Sequence, residues 1–199
     1  MNIFGNIVLL GVLLLIYKAY IWYNVRYIVS TLDKSPYKVI GGFDDAQRAA
    51  DALAQLNINT MRLINFMLAR YSEPGTQGYI LASRLHARYN PATLEENNPS
   101  GTTNTSYTEN KGDRVAMCLR EKQSGKNHLH DQSILEYVNL HELAHIASES
   151  YGHEDEFWNN FVFLLDAARQ ANIHIPQDYK HQPINYCGVD VSYNPYYDL

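Results

Sequence analysis

The chain has 199 residues, 46% of them hydrophobic, which is enough for one globular domain with an appendage. Its net charge of −5 and the lack of a long basic stretch argue against a nucleic-acid surface. Two distant cysteines, Cys118 and Cys187, are too few for a disulfide scaffold and lack the paired spacing of a thiolate zinc site. Two reduced, partly buried thiols are the simplest expectation, with a single disulfide left open. Sixteen tyrosines against six phenylalanines point to many half-buried rings with wet hydroxyls.

The first element is an apolar run from Ile3 to Tyr23, broken near its end by Lys18. A helix of about 20 apolar residues spans a bilayer core. Tyr17, Tyr20, Trp22 and Tyr23 have the character of an interfacial belt. A cleavable signal peptide is the competing reading, but no Lys or Arg precedes the run and bulky rings follow it. The expectation is a retained single-pass anchor over residues 1–27, meeting the bilayer through 3–23. Arg26, Lys34 and Lys38 follow the run and no basic residue precedes it, which would leave the rest of the chain in the cytoplasm. On a luminal face, Asn104 of N-T-S would be a glycosylation acceptor.

Residues 28–43 read as a linker with a short strand, closed by Gly41 and Gly42. A domain over 44–199 follows. Asp44 and Asp45 open a helix that runs to about Tyr71, with Ala49, Leu53, Leu56, Leu63, Ile64, Met67 and Leu68 at helical spacing. A second helix covers Tyr79 to Tyr89. The polar stretch from Asn97 to Asp113 reads as a surface loop, and Arg114 to Glu121 as a strand.

A third helix starts at Ser133, where S-I-L-E has the form of a capping box between Ser133 and Glu136, and continues to about Ser150. Gly152 suits a left-handed turn. A last helix runs from Glu154 to about Asn172 with Phe157, Phe161, Leu164, Leu165 and Ala168 on its apolar stripe. The tail is aromatic and reads as irregular.

The third helix carries the chemistry. His141 and His145, four apart, project from one helical face, where two imidazoles can bind one Zn²⁺. Glu142 stands beside the first, in the place of a general base rather than a ligand. H-E-x-x-H on a helix is the zinc-peptidase signature. The pattern also arises by chance, but here small and apolar residues flank it: Leu140, Leu143, Ala144 and Ile146. His153 follows a glycine and can supply a third imidazole, leaving one coordination position open. His128 and His130 are spaced by two in a loop and read as exposed; His86, His174 and His181 stand alone.

This segment, with the preceding V-A-M-C-L-R-E, resembles the WLM metallopeptidase family, which is related to the SprT-like peptidases. The matching positions are His141, Glu142, Leu143, His145, Gly152, His153 and Phe157, with Leu119 and Arg120 as the upstream pair. Glu154 departs from the aspartate of many members, and its implied role is to support a ligand. The chain looks like membrane-anchored members from large DNA viruses. It has no basic DNA-binding tail, so the DNA–protein crosslink substrates of the repair members do not carry over.

The resemblance implies an α+β, mostly helical, zincin-like domain with a small sheet, here behind one transmembrane helix. It implies a zinc-dependent endopeptidase acting on a protein or peptide, with Zn²⁺ on His141, His145 and His153 and Glu142 as the base. Tyr151 and the tail tyrosines are candidates for oxyanion stabilisation, without a choice among them. The alternative is a catalytically silent zinc-binding structural protein of a membrane-associated assembly, such as a virion, with membrane or capsid partners. The intact Glu142 favours the enzyme.

Overall fold

A computed structural model describes residues 3–97, 105–121 and 128–198. Helix α1 spans Ile3–Asn24, and its side chains are described over 6–20, all of them exposed. Among the described residues no helix is long and apolar enough to cross a membrane. The single-pass span over 3–23, and the membrane localisation and cytoplasmic orientation built on it, are corrected accordingly. Asn104 lies outside the described residues.

The stretch expected as a linker holds ordered strand. β1 (Val25–Val29) pairs antiparallel with β2 (Pro36–Ile40), Val25 facing Ile40 and Val29 facing Pro36. Lys34 takes the left-handed conformation in the turn (φ 64°), and the Asp51 carboxylate accepts from the Thr31 N–H and both hydroxyls of Ser30 and Thr31. β2 buries Tyr37 and Val39 against the long helix α2 (Ala46–Arg70). The expected stripe of α2 is buried, except that Leu68 faces out.

α3 (Gln77–Arg88) follows, capped by the Thr76 hydroxyl. A three-stranded sheet comes next: β3 (Leu94–Glu96), β4 (Tyr107–Glu109) and β5 (Arg114–Met117). Its order is β3-β5-β4, with β3 parallel and β4 antiparallel to the central β5. β4 was not foreseen, because Y-T-E sits inside a polar, turn-rich stretch. Just past β5, the nearly inaccessible Arg120 pairs with Glu96 of β3 (2.8 Å) and with Asp45 at the start of α2 (2.5 Å), while Glu96 also accepts from the Ile40 N–H (2.8 Å). One buried guanidinium thus fastens the sheet, the β1–β2 hairpin and α2 together; its charge is tolerated because it is paired twice.

α4 (Gln132–Ala147) is the central helix. It is not amphipathic: Leu135, Val138, Leu140, Leu143, Ala144 and Ile146 are all buried, and α2, α3 and α5 (Asp155–Gln170) pack around it. The expected capping box does not form. The N-cap is Asp131, without a side-chain bond, and Glu136 is buried in the core, accepting from Asn59 of α2 (3.0 Å). Glu136, the fifth residue of α4, turns inward because a buried amide meets it.

The tail is ordered as well. β6 (Ile184–Tyr186) and β7 (Val189–Val191) form a hairpin turned at Cys187 and Gly188, both left-handed, and α6 (Pro195–Asp198) closes the chain. Cys118 and Cys187 form a disulfide, which corrects the expectation of free thiols. It joins the end of β5 to the hairpin turn. A two-stranded hairpin this short is marginal alone, so the covalent tie accounts for its fixed position.

Candidate metal centre

α4 delivers His141 and His145 from one face, one turn apart, and ends two residues later at Ala147. The carbonyls at its end are met by cations from two other elements. Arg84 and Arg88 of α3 donate to the Ala147 and Ile146 carbonyls (2.9 and 3.0 Å), and Lys111, in the β4–β5 turn, donates to the His145 carbonyl (3.0 Å). These satisfy groups that a helix end otherwise leaves unpaired, with charges of the favourable sign.

The chain then folds back through Ser148, whose φ and ψ are extended. Gly152 does not take the left-handed conformation expected of it. Instead the return is held by side chains of α5. Glu156 accepts from the Glu149 and Ser150 N–H groups (3.1 and 3.0 Å), and Asn160 donates to the Ser148 hydroxyl (2.9 Å). Burial would raise the Glu156 carboxyl, but these two N–H groups and Arg84 outweigh it and bring it down to about 2.

This return brings His153 to the helix. Its Nε2 lies 3.0 Å from Nε2 of His141 and 3.1 Å from Nε2 of His145. Donor atoms of all three fall within 4.8 Å of one another, so the triad could hold a metal ion. Phe157, fully buried, forms the floor, with ring centroids 4.8, 4.4 and 4.6 Å from His141, His145 and His153.

The donor set fits zinc. A tetrahedral site with Zn–N of about 2.0–2.1 Å requires ligand nitrogens roughly 3.3 Å apart, close to what is observed. Burial, helped by His145 and His153, pushes His141 down to about 3; burial, with His153 and Lys111, brings His145 to about 4; burial lowers His153. Imidazoles held neutral are in the form that binds a metal.

Glu142, beside His141 on α4, is buried. Burial lifts its carboxyl to about 7, opposed by one hydrogen bond from the Thr108 hydroxyl of β4 (2.8 Å). A cavity of about 410 Å³ opens over the triad and Glu142, walled by Thr108, Tyr137, Val138, Tyr186, Val189 and Val191. Tyr186 is committed elsewhere, donating to the Cys118 carbonyl (2.7 Å). Tyr151 is 79% exposed, with Lys111 against its ring.

Other sequence candidates lie apart from the triad. His128 is exposed. His130, expected in solvent, is buried and accepts from the Cys187 N–H (3.2 Å) beside the disulfide. His174 is buried, whereas His86 and His181 are exposed. Glu154 is exposed at the N-cap of α5, and no hydrogen bond joins it to the triad. Thr108, Lys111, Arg84 and Arg88 were missed; no local pattern marks them, since each reaches α4 from a distant part of the chain.

A WLM domain profile matches residues 83–194, from within α3 to the tail. An uncharacterized protein of Acanthamoeba polyphaga mimivirus is 40% identical over 102 residues, covering 51% of this chain and 50% of its own length. Uncharacterized proteins of Invertebrate iridescent virus 6 and Invertebrate iridescent virus 3 are 34% and 36% identical, over 41% and 42% of this chain and 44% and 50% of their own. The chain thus spans about half the length, or less, of the curated relatives it matches. No solved structure matches it. Since the profile runs through more than half of the sequence and takes in all of α4 and the return to His153, the chain belongs to the WLM domain family.

Proposed function

We propose that the chain is a zinc-dependent endopeptidase, with His141, His145 and His153 holding the metal and Glu142 acting as general base. The observation that carries this reading is the placement of Glu142: beside the triad, facing the same cavity, but outside the set of converging imidazoles. A purely structural metal site has no need of a buried carboxylate there. The family's association with peptidase-like activity supports the same reading.

Bound zinc would supply Lewis acidity toward a peptide carbonyl. The residues of the chain do the rest. The imidazoles are kept neutral and rigid by Phe157 and by the bonds at the end of α4. Glu142, held at the cavity wall by the Thr108 hydroxyl, takes a proton from the attacking water and returns it to the departing amine. The apolar surfaces of Tyr137, Val138, Val189 and Val191 can receive the side chains of an unfolded segment.

The test uses the full chain loaded with zinc and fluorescently labelled, unfolded casein. Cleavage that a chelator stops, and that the Glu142→Gln variant lacks while keeping its zinc, is the expected result. A zinc-loaded, folded chain that cuts nothing between pH 5 and 9 would favour a structural metal site instead.

A further inference from the structure

We infer that Thr108 is the positioning residue for Glu142, and that the β4–β5 hairpin is built to hold it there. This rests on the peptidase reading above. The Thr108 hydroxyl donates to Oε2 of Glu142 at 2.8 Å. Glu142 is buried and on the cavity wall, and Thr108 is the one side chain that acts on its carboxyl as a hydrogen-bond donor among the described residues. With Oε2 engaged, the carboxyl plane is set and Oε1 is left for the proton transfer. Without that donor, the side chain is free to rotate about its last torsion, which has a broad and shallow preference.

Thr108 is itself fixed from several directions. It faces Val115 in the β4–β5 pairing. The turn that follows has three successive left-handed residues, Asn110, Lys111 and Gly112. At Gly112 a side chain is excluded, because a Cβ would lie 2.9 Å from the Arg88 carbonyl. The turn is pinned to α4 by Lys111, which donates to the His145 carbonyl and to the Ser150 carbonyl. One hairpin therefore grips the helix at two points, the side chain of Glu142 and the backbone of a candidate ligand. The hydroxyl cannot drift from the carboxylate without losing the second grip.

The decisive comparison sets Thr108→Val, which keeps the shape and removes the donor, against Thr108→Ser, which restores it. In the zinc-loaded full chain on labelled casein, Thr108→Val should lower kcat by roughly ten- to a hundredfold, with KM and zinc stoichiometry unchanged. Thr108→Ser should return kcat to near the wild-type value. A general packing role would instead raise KM or lower stability and would not be rescued by serine. A Thr108→Val chain with wild-type kcat overturns the inference.

A second readout needs neither metal nor activity. In metal-free protein, thermal unfolding of Thr108→Val, Glu142→Leu and the double variant measures their coupling. Thr108→Val should lower Tm by about 2–4 °C when Glu142 is present and by clearly less when it is leucine. Equal shifts in both backgrounds overturn the inference by themselves. If zinc-loaded wild type cleaves nothing, the peptidase reading falls, and this coupling alone decides whether Thr108 holds Glu142.

Discussion

Two glutamates on α4, Glu136 and Glu142, are both buried, and burial lifts both to about 7. They differ in what they face. Glu136 looks into the packing between α4 and α2, where Asn59 donates to it, and Asn57, Tyr37, Thr60 and Asn139 complete a buried polar network nearby. Glu142 faces a cavity and three imidazoles and is held by a single hydroxyl. A raised carboxyl is therefore no mark of catalysis by itself. Access to a cleft and neighbours that can hold a metal separate a candidate base from a core carboxyl.

The sharpest break between the two is on activity. Glu142→Gln should lose about 10²–10⁴-fold of casein cleavage, whereas Glu136→Gln should leave kcat within a few fold. Loss of activity from both, with the fold intact by circular dichroism, would show that the distinction drawn from the cavity is false.

A third buried acid tests the role of pairing. Glu96 is answered by Arg120, so Arg120→Met strands a carboxylate in the core, at an expected cost of about 3–5 kcal/mol. Chemical denaturation should show this loss with zinc binding retained in the folded fraction. A neutral result would mean that Glu96 is easily protonated, as Glu136 is.

The cavity side depends on the tail hairpin, whose turn is tied by the disulfide. Replacing Cys118 and Cys187 together by serine should cost about 2–4 kcal/mol and speed amide exchange in 184–191, while the three histidines keep their metal. Unchanged exchange would mean that the Tyr186 contacts alone hold the wall.

The smallest effect belongs to pH. Glu136 has a folded value of about 7 against 4.5 when free. The folded state therefore holds this proton more tightly. Its contribution to stability is full below about 4.5 and is lost as pH rises through 7, on the order of 3 kcal/mol. Glu136→Gln should flatten that part of the stability profile between pH 4.5 and 8. An unchanged slope would place its origin elsewhere.

The triad was legible in the sequence because its spacing is local: one helical turn, then one short return. The helices α2 and α5 were legible for the same reason, each carrying its own apolar stripe, whereas α4 is buried all round and was marked by its histidine spacing. What escaped was non-local or context-bound. Thr108 reaches Glu142 across a fold contact that no spacing encodes. The disulfide joins residues 69 positions apart. Ser133 and Glu136 fit a capping pattern, but burial against Asn59 outcompetes it. The apolar opening run read as a span on hydropathy alone, and no helix among the described residues is long and apolar enough to cross a membrane.

The most direct measurement is the metal content of the purified, folded full chain, wild type beside Glu142→Gln and His145→Ala. One zinc per chain in wild type and Glu142→Gln, and none retained stoichiometrically by His145→Ala, is the expected result. Absence of zinc from wild type after loading, or its loss in Glu142→Gln, would contradict a three-histidine centre with Glu142 standing outside the ligand set.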